Sequence, residues 1–130
     1  MDTKNNTGNF KNSWSNEQTN IQSKIDFIIE EVIIKGYSIV KNHISKEETE
    51  LTKDKIEKIY DTQVNECGGE ENLKKIGDHH NAKALIAYDD YFKRYVTDEL
   101  SLKIAHNFLG DYMVLFQNNG ILHRPNEANT

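Results

Sequence analysis

The sequence is poor in cysteine, proline and long apolar runs, and its basic residues are outnumbered by acidic ones, 16 to 21. One cysteine, Cys67, and one proline, Pro125, occur in 130 residues, and a single cysteine excludes an internal disulfide framework. A formal net charge of -5 argues against general affinity for nucleic acid or anionic membranes. No apolar run approaches the ~18 residues that span a bilayer. We therefore expect a cytoplasmic protein that binds neither nucleic acid nor membrane.

Apolar residues are also scarce, at 36% of the sequence with a mean hydropathy of -0.76. The N-terminal stretch is almost entirely polar, with Phe10 and Trp14 as its apolar points. Such a stretch buries too little surface to offset its ordering entropy. We predict a disordered polar tail over residues 1–20 and a folded domain over residues 21–130.

Two long helices are predicted in the first half of that domain. Apolar residues recur at helical spacing from Ile21 to Ile33, and Gly36 provides the stop. A short β-favouring run follows at Tyr37–Val40. Ser45 and Glu48 form a capping-box pattern, which predicts a helix from about Lys46 to Asn65.

The second half is less regular until its last strand. A turn of helix is expected near Asn72–Ile76, a loop at Gly77–Asn81, and one helix or two short ones over Ala84–Val96. A helix capped by Thr97 or Asp98 and closed by Gly110 then leads into one long strand, from Tyr112 to Arg124, which Pro125 stops. Two distant strands make a marginal sheet alone, so further strands are expected.

Candidate chemistry is sparse when the residues are taken one by one. None of the five histidines lies in a His-x-Asp, His-Glu-x-x-His or similar ligand motif. His79 and His80 follow Asp78 and could bind a metal weakly, but adjacent side chains on an extended chain point apart. An exposed polar loop is the alternative. Cys67, at a helix C-terminus after Glu66, lacks the surroundings of a nucleophile. We predict no catalytic and no metal-ligating residue in these 130 positions.

A set of ordered motifs nevertheless resembles the N-terminal part of phytanoyl-CoA dioxygenase-like proteins. These motifs are Gly36–Asn42 with Ile44–Glu48, Asp90–Phe92, Ile104–Gly110 and Gln117–Pro125. The resemblance covers residues 25 to 130. It implies an α+β fold in which an N-terminal helical layer accompanies the first strands of a double-stranded β-helix, or jelly roll, interrupted before the iron-binding motif.

The resemblance also implies a function for the complete enzyme. Members of this family are Fe(II)/2-oxoglutarate-dependent dioxygenases that hydroxylate small organic substrates, with iron held by a His-x-Asp and a distant His. That motif is expected just beyond Arg124-Pro125. Without it, neither iron nor 2-oxoglutarate is expected to bind this chain tightly. Asn118 and Lys83 are the candidate residues for contact with 2-oxoglutarate.

The alternative hypothesis is that the chain is a non-catalytic helical interaction module, or an oxygenase remnant, that binds a partner. Its partner would pair with the apolar C-terminal strand, because an unpaired strand edge invites strand addition. The same property predicts self-association through residues 112–122.

Overall fold

The computed structural model describes the backbone of residues 11–123 and the side chains of residues 22–123. The chain divides into two compact units, Met1–Val40 with Glu99–Tyr112, and Lys41–Asp98 with Met113–Thr130. Helices dominate the described residues, and the one sheet found there has two strands. The elements in chain order are α1 (Lys11–Lys35), α2 (Lys46–Glu66), α3 (Glu70–Lys75), β1 (Asn81–Ala82), α4 (Leu85–Tyr88), a 3-10 turn (Asp90–Phe92), α5 (Lys93–Val96), α6 (Glu99–Leu109) and β2 (Gly120–Ile121).

The first unit consists of α1 packed against α6. Ile25 and Ile28, one helical turn apart on the predicted stripe, are buried. As predicted, α1 ends before Gly36, whose φ of +82° lies in the left-handed region that favours glycine.

The start of α1 differs from the prediction. The helix begins at Lys11, so the second half of the predicted polar tail is helical, while residues 1–10 lie outside the described part. Lys11–Lys35 contains neither glycine nor proline, and an established helix extends at low cost through residues that do not break it. The start of α1 predicted from composition alone is therefore too late in the sequence.

The second unit is built around α2. The Ser45 hydroxyl accepts a hydrogen bond from the Glu48 N–H at 3.1 Å, which confirms the predicted N-cap. In a complete capping box the Glu48 carboxylate would bond back to the Ser45 N–H. Here it contacts Tyr95 and Arg94 instead. The helix ends at Glu66, close to the predicted Asn65.

The core of this unit collects one or two buried residues from each of α2, α3, β1, α4 and the 3-10 turn. Tyr60 and Phe92 are its largest fully buried side chains. Around them pack Ile59, Leu73, Ala82 and Leu85. The predicted helical turn near Asn72 and the short helices of 84–96 are confirmed. α3, α4 and the 3-10 turn each bury one residue, Leu73, Leu85 and Phe92 respectively.

Both strand predictions need correction. Tyr37–Val40 forms no strand, and Ile39 is 71% exposed. Of the strand predicted from Tyr112 to Arg124, only Gly120–Ile121 is regular, and it pairs antiparallel with Asn81–Ala82. β-Favouring sequence forms a strand only where another backbone completes its hydrogen bonds. In the described part, that backbone is the two residues of β1; Pro125 lies outside that part.

Among the described helices, none combines the length and the apolar character that a membrane crossing requires.

Candidate functional site

Asn118, the first candidate contact to 2-oxoglutarate, lies where the C-terminal segment meets α4. Its main-chain carbonyl accepts a hydrogen bond from the Leu85 N–H at 2.9 Å, and the neighbouring Asn119 side chain accepts one from the Ala84 N–H at 3.0 Å. The Oδ1 atom of Asn118 is buried and has no hydrogen-bond partner among the described residues. An unsatisfied buried polar atom costs about 1–3 kcal/mol, so Asn118 is held at a cost to stability.

Lys83, the second candidate, is fixed through its backbone. Its N–H donates to Oε1 of Gln63 at 2.9 Å, and its carbonyl accepts from Nε2 of Gln63 at 2.7 Å. Its ammonium group forms an ion pair with Asp78 at 2.5 Å, and half of the side chain is exposed. The structure therefore brings the backbone of residues 83–85 next to residues 118–119, while the Lys83 ammonium is engaged with Asp78.

Gln63 was missed by the sequence reasoning. It is buried, at 8% exposure, and both ends of its amide bind the Lys83 backbone. The available signal was its position on α2, four residues after Ile59 and three after Tyr60, which places it on the apolar stripe. A polar residue on a buried stripe requires a partner, and Lys83 supplies two.

His79 and His80 do not point apart, which corrects the expectation from their adjacency. Their ring centroids are 3.5 Å apart. The turn that carries them is closed by a hydrogen bond from the Asn81 N–H to the Asp78 carbonyl, and His80 has a φ of +60°. This left-handed conformation breaks the alternation of an extended chain, so both rings lie on one side.

Both histidines face Glu70, in the first turn of α3. The Nε2 atom of His79 is 3.2 Å from Oε1 of Glu70, and that of His80 is 3.9 Å from the same oxygen. One ligand atom from each of the three residues lies within 4.8 Å of the others. These are the described residues that could together hold a metal ion.

Tyr60 ties this cluster to the core. Its hydroxyl donates to Oε1 of Glu70 at 3.3 Å and accepts from the His80 N–H at 3.1 Å. Burial pushes the pKa of Glu70 up, but hydrogen bonds from Tyr60 and His79, with the charges of His79 and Lys74, outweigh it and hold the pKa below its usual value of 4.5. The carboxylate is therefore ionised at neutral pH.

Two other histidines form simple pairs with carboxylates. The Nε2 atom of His43 lies 3.1 Å from Asp98, and that of His106 lies 2.6 Å from Asp111.

Cys67 is exposed and lies at the C-cap of α2, the helix end at which the sequence predicts it.

An apolar groove of about 320 Å³ lies between α2 and the C-terminal segment that contains β2. Ile44, Ile56, Ile121 and Leu122 contribute apolar walls, and Thr52 and Tyr95 contribute hydroxyl groups. The Thr52 hydroxyl shares hydrogen bonds with Tyr91 and Tyr95, and burial is the main cause that raises the pKa of Tyr95 to about 12. The groove therefore offers hydroxyl groups and, from Lys53, one amino group among apolar walls.

No protein-family model, curated protein or solved structure matches this chain.

Proposed function

We propose that this chain is the N-terminal portion of a phytanoyl-CoA dioxygenase-like, Fe(II)/2-oxoglutarate-dependent hydroxylase that acts on a small organic substrate in the cytoplasm. The motif order from Gly36 to Pro125 suggests the family. The structural observation that supports it most is the Oδ1 atom of Asn118, two residues before β2, which is buried and has no hydrogen-bond partner among the described residues. In the proposed enzyme, β2 belongs to the jelly roll and precedes the iron-binding loop.

Asn118 would act as a positioning group for 2-oxoglutarate. Rotation of its amide by 180° about χ2 exchanges the oxygen and the nitrogen, so the same buried position can present an N–H donor. A carboxylate accepts such a bond well. Lys83, released from Asp78, would add a cation on the neighbouring segment.

The exposed C-terminal segment is consistent with an incomplete jelly roll. Val114 is 84% exposed, Phe116 88% and Ile121 69%. Contiguous exposed apolar surface marks an interaction site or an uncovered core. Further strands of the proposed jelly roll would cover these side chains and complete the hydrogen bonds of β2.

The family's iron site has no counterpart in these residues, because the sequence contains no His-x-Asp. When bound in the complete enzyme, iron would supply the O2 chemistry of the hydroxylation. The role proposed for this portion is to buttress the sheet with α2 to α5 and to place Asn118.

The test begins with the coding sequence beyond Thr130. We expect it to continue into an aromatic-His-x-Asp motif, and the extended protein to convert 2-oxoglutarate to succinate in the presence of Fe(II) and O2. Replacing Asn118 with Ala should raise the KM for 2-oxoglutarate more than replacing Asn119 does. A reading frame without the motif, or an extended protein that forms no succinate, would overturn the proposal.

A second candidate function is a non-catalytic interaction module. The exposed segment Val114–Phe116 favours it, since another chain could cover the same side chains by strand addition. Anaerobic titration of the extended protein with 2-oxoglutarate and Fe(II) separates the two candidates, because neither ligand is expected to bind the 130-residue chain tightly. Saturable binding of 2-oxoglutarate that depends on Asn118 supports an oxygenase site, and absence of binding supports the module.

A further inference from the structure

We propose that Glu70, His79 and His80 form a binding site for a divalent first-row transition metal ion, with Zn²⁺ as the representative ion. This site is independent of the oxygenase proposal, whose iron ligands would come from a His-x-Asp motif elsewhere.

The donor set suits this class of ion. Imidazole nitrogen and carboxylate oxygen are common ligands of zinc and of neighbouring divalent metals, whereas Mg²⁺ and Ca²⁺ prefer oxygen alone. In tetrahedral zinc sites with Zn–N distances of 2.0–2.1 Å, adjacent ligand atoms lie roughly 3.3 Å apart. The observed separations from Glu70 Oε1 are 3.2 Å to His79 and 3.9 Å to His80. All three ligand atoms lie within 4.8 Å of one another, so side-chain rotations that shorten the longer separations would close the set around one ion.

The backbone holds the two imidazoles in place. The Asp78–Asn81 turn, with its positive φ at His80, keeps both rings on the side of α3. The His80 carbonyl accepts a hydrogen bond from the Leu122 N–H at 2.8 Å, which anchors the turn to the residue after β2. A non-glycine residue in the left-handed region is strained. Here this backbone conformation of His80 brings the two rings together.

The Tyr60 hydroxyl group also holds two of the ligands in position. Tyr60, only 2% exposed, joins the Glu70 carboxylate to the His80 backbone through its hydroxyl. Groups that orient ligands in this way commonly accompany metal sites.

Solvent reaches two of the three ligands. The His80 side chain is 4% exposed, while those of His79 and Glu70 are 21% and 41% exposed. An ion can enter from solvent over Glu70 and His79 and reach the buried imidazole. Three protein ligands leave a fourth position for water or another ligand, as in zinc sites that bind exchangeable groups.

A simple histidine–carboxylate pair is the competing explanation. The chain contains such a pair at His106 and Asp111, separated by 2.6 Å on exposed side chains. The Glu70 cluster differs because a second, buried imidazole is directed at the same carboxylate oxygen. The His106–Asp111 pair is therefore a matched control within the same chain.

The experiment uses the full, tag-free chain after treatment with a chelator. Zn²⁺ is titrated by calorimetry against a competing chelator, and Co²⁺ is added as a spectroscopic probe. We expect one saturable site and the visible absorption of four- or five-coordinate Co²⁺. Glu70→Gln and His79→Gln should each weaken Zn²⁺ binding by about 10- to 100-fold or more, with unchanged far-UV circular dichroism, while His106→Gln leaves it unchanged.

Several outcomes would overturn the site. These are no saturable Zn²⁺ binding, octahedral Co²⁺ absorption alone, or equal losses in the His79 and His106 variants. His80→Ala removes a buried side chain and could fail to fold, so the variants of the partly exposed His79 and Glu70 decide the result. The assay contains no 2-oxoglutarate, and its failure is therefore distinguishable from failure of the proposed oxygenase function.

Discussion

Gly120 lies directly against Ile56: a Cβ atom built on Gly120 would be 2.6 Å from Cγ2 of Ile56 and 3.1 Å from its Cδ1. Real Cβ atoms do not approach other carbon atoms so closely. The glycine at the start of β2 is thus required by the contact with α2. Its backbone φ is not in the left-handed region.

Replacing Gly120 with Ala should destabilise the second unit by about 1–3 kcal/mol, the usual cost of overpacking. Chemical denaturation followed by circular dichroism measures the loss. In an Ile56→Ala background the same change should cost less, because the atoms that it meets are gone. A double-mutant cycle isolates this coupling, and an equal cost in both backgrounds would contradict the contact.

Asn118 and Asn119 should respond oppositely to truncation. Asn118→Ala removes the unpartnered Oδ1, so we expect little change in the free energy of unfolding or a small gain. Asn119→Ala removes the acceptor of the Ala84 N–H and should cost about 0.5–1.5 kcal/mol. Urea denaturation of both variants provides the comparison. A larger loss for Asn118 would indicate a structural role that the described contacts do not include.

Helix boundaries were predictable where their cause is local. Ser45 caps α2 through the N–H of a residue three positions away, and Gly36 and Gly110 end helices through their own positive φ. Each of these signals occupies a few consecutive residues, so the sequence shows it directly. The boundaries near them were correct to within a few residues, except at Lys11, where no local stop signal exists.

The strand pairing and the histidine cluster depend on residues distant in sequence. β1 and β2 pair across almost forty residues, and periodicity in the final segment could not show that only two of its residues find a partner. Glu70 meets His79 and His80 because α3 and the following turn reverse the chain. The positive φ of His80 is a conformation that histidine adopts more readily than most non-glycine residues, but the sequence does not show that this histidine adopts it.

Ser45→Ala should destabilise α2 by about 1 kcal/mol, within the 0.5–2 kcal/mol known for N-caps. The Glu48 N–H then loses its acceptor. Thr62→Ala is a control in the same helix, since its hydroxyl only bonds back to the Lys58 carbonyl. Because Ala has the higher helix propensity, that variant should be neutral or slightly more stable. Equal losses in thermal melts would contradict the cap.

Asp89 should contribute to the acid sensitivity of the fold. The hydrogen bond from Lys55, followed by that from the Tyr91 N–H, holds its pKa below 3.8. A lowered folded-state pKa gives stability that is present above the unfolded pKa and lost as pH falls through the folded one. Stability of the Asp89→Asn variant should therefore fall less steeply below about pH 4. Urea midpoints at several pH values measure this, with Asp61→Asn as the exposed control; parallel curves would contradict it.

Phe116 and Val114 should drive self-association through the segment 112–122. Their side chains are 88% and 84% exposed, and removing such apolar surface from water favours association. We expect concentration-dependent oligomers by light scattering, and a monodisperse monomer for the Val114→Glu, Phe116→Glu variant. Ile39→Glu is the control, because Ile39 is also exposed, at 71%, but lies in the other unit. A monomeric parent chain would contradict the prediction, and equal rescue by Ile39→Glu would show that general surface hydrophobicity, and not this segment, sets the association state.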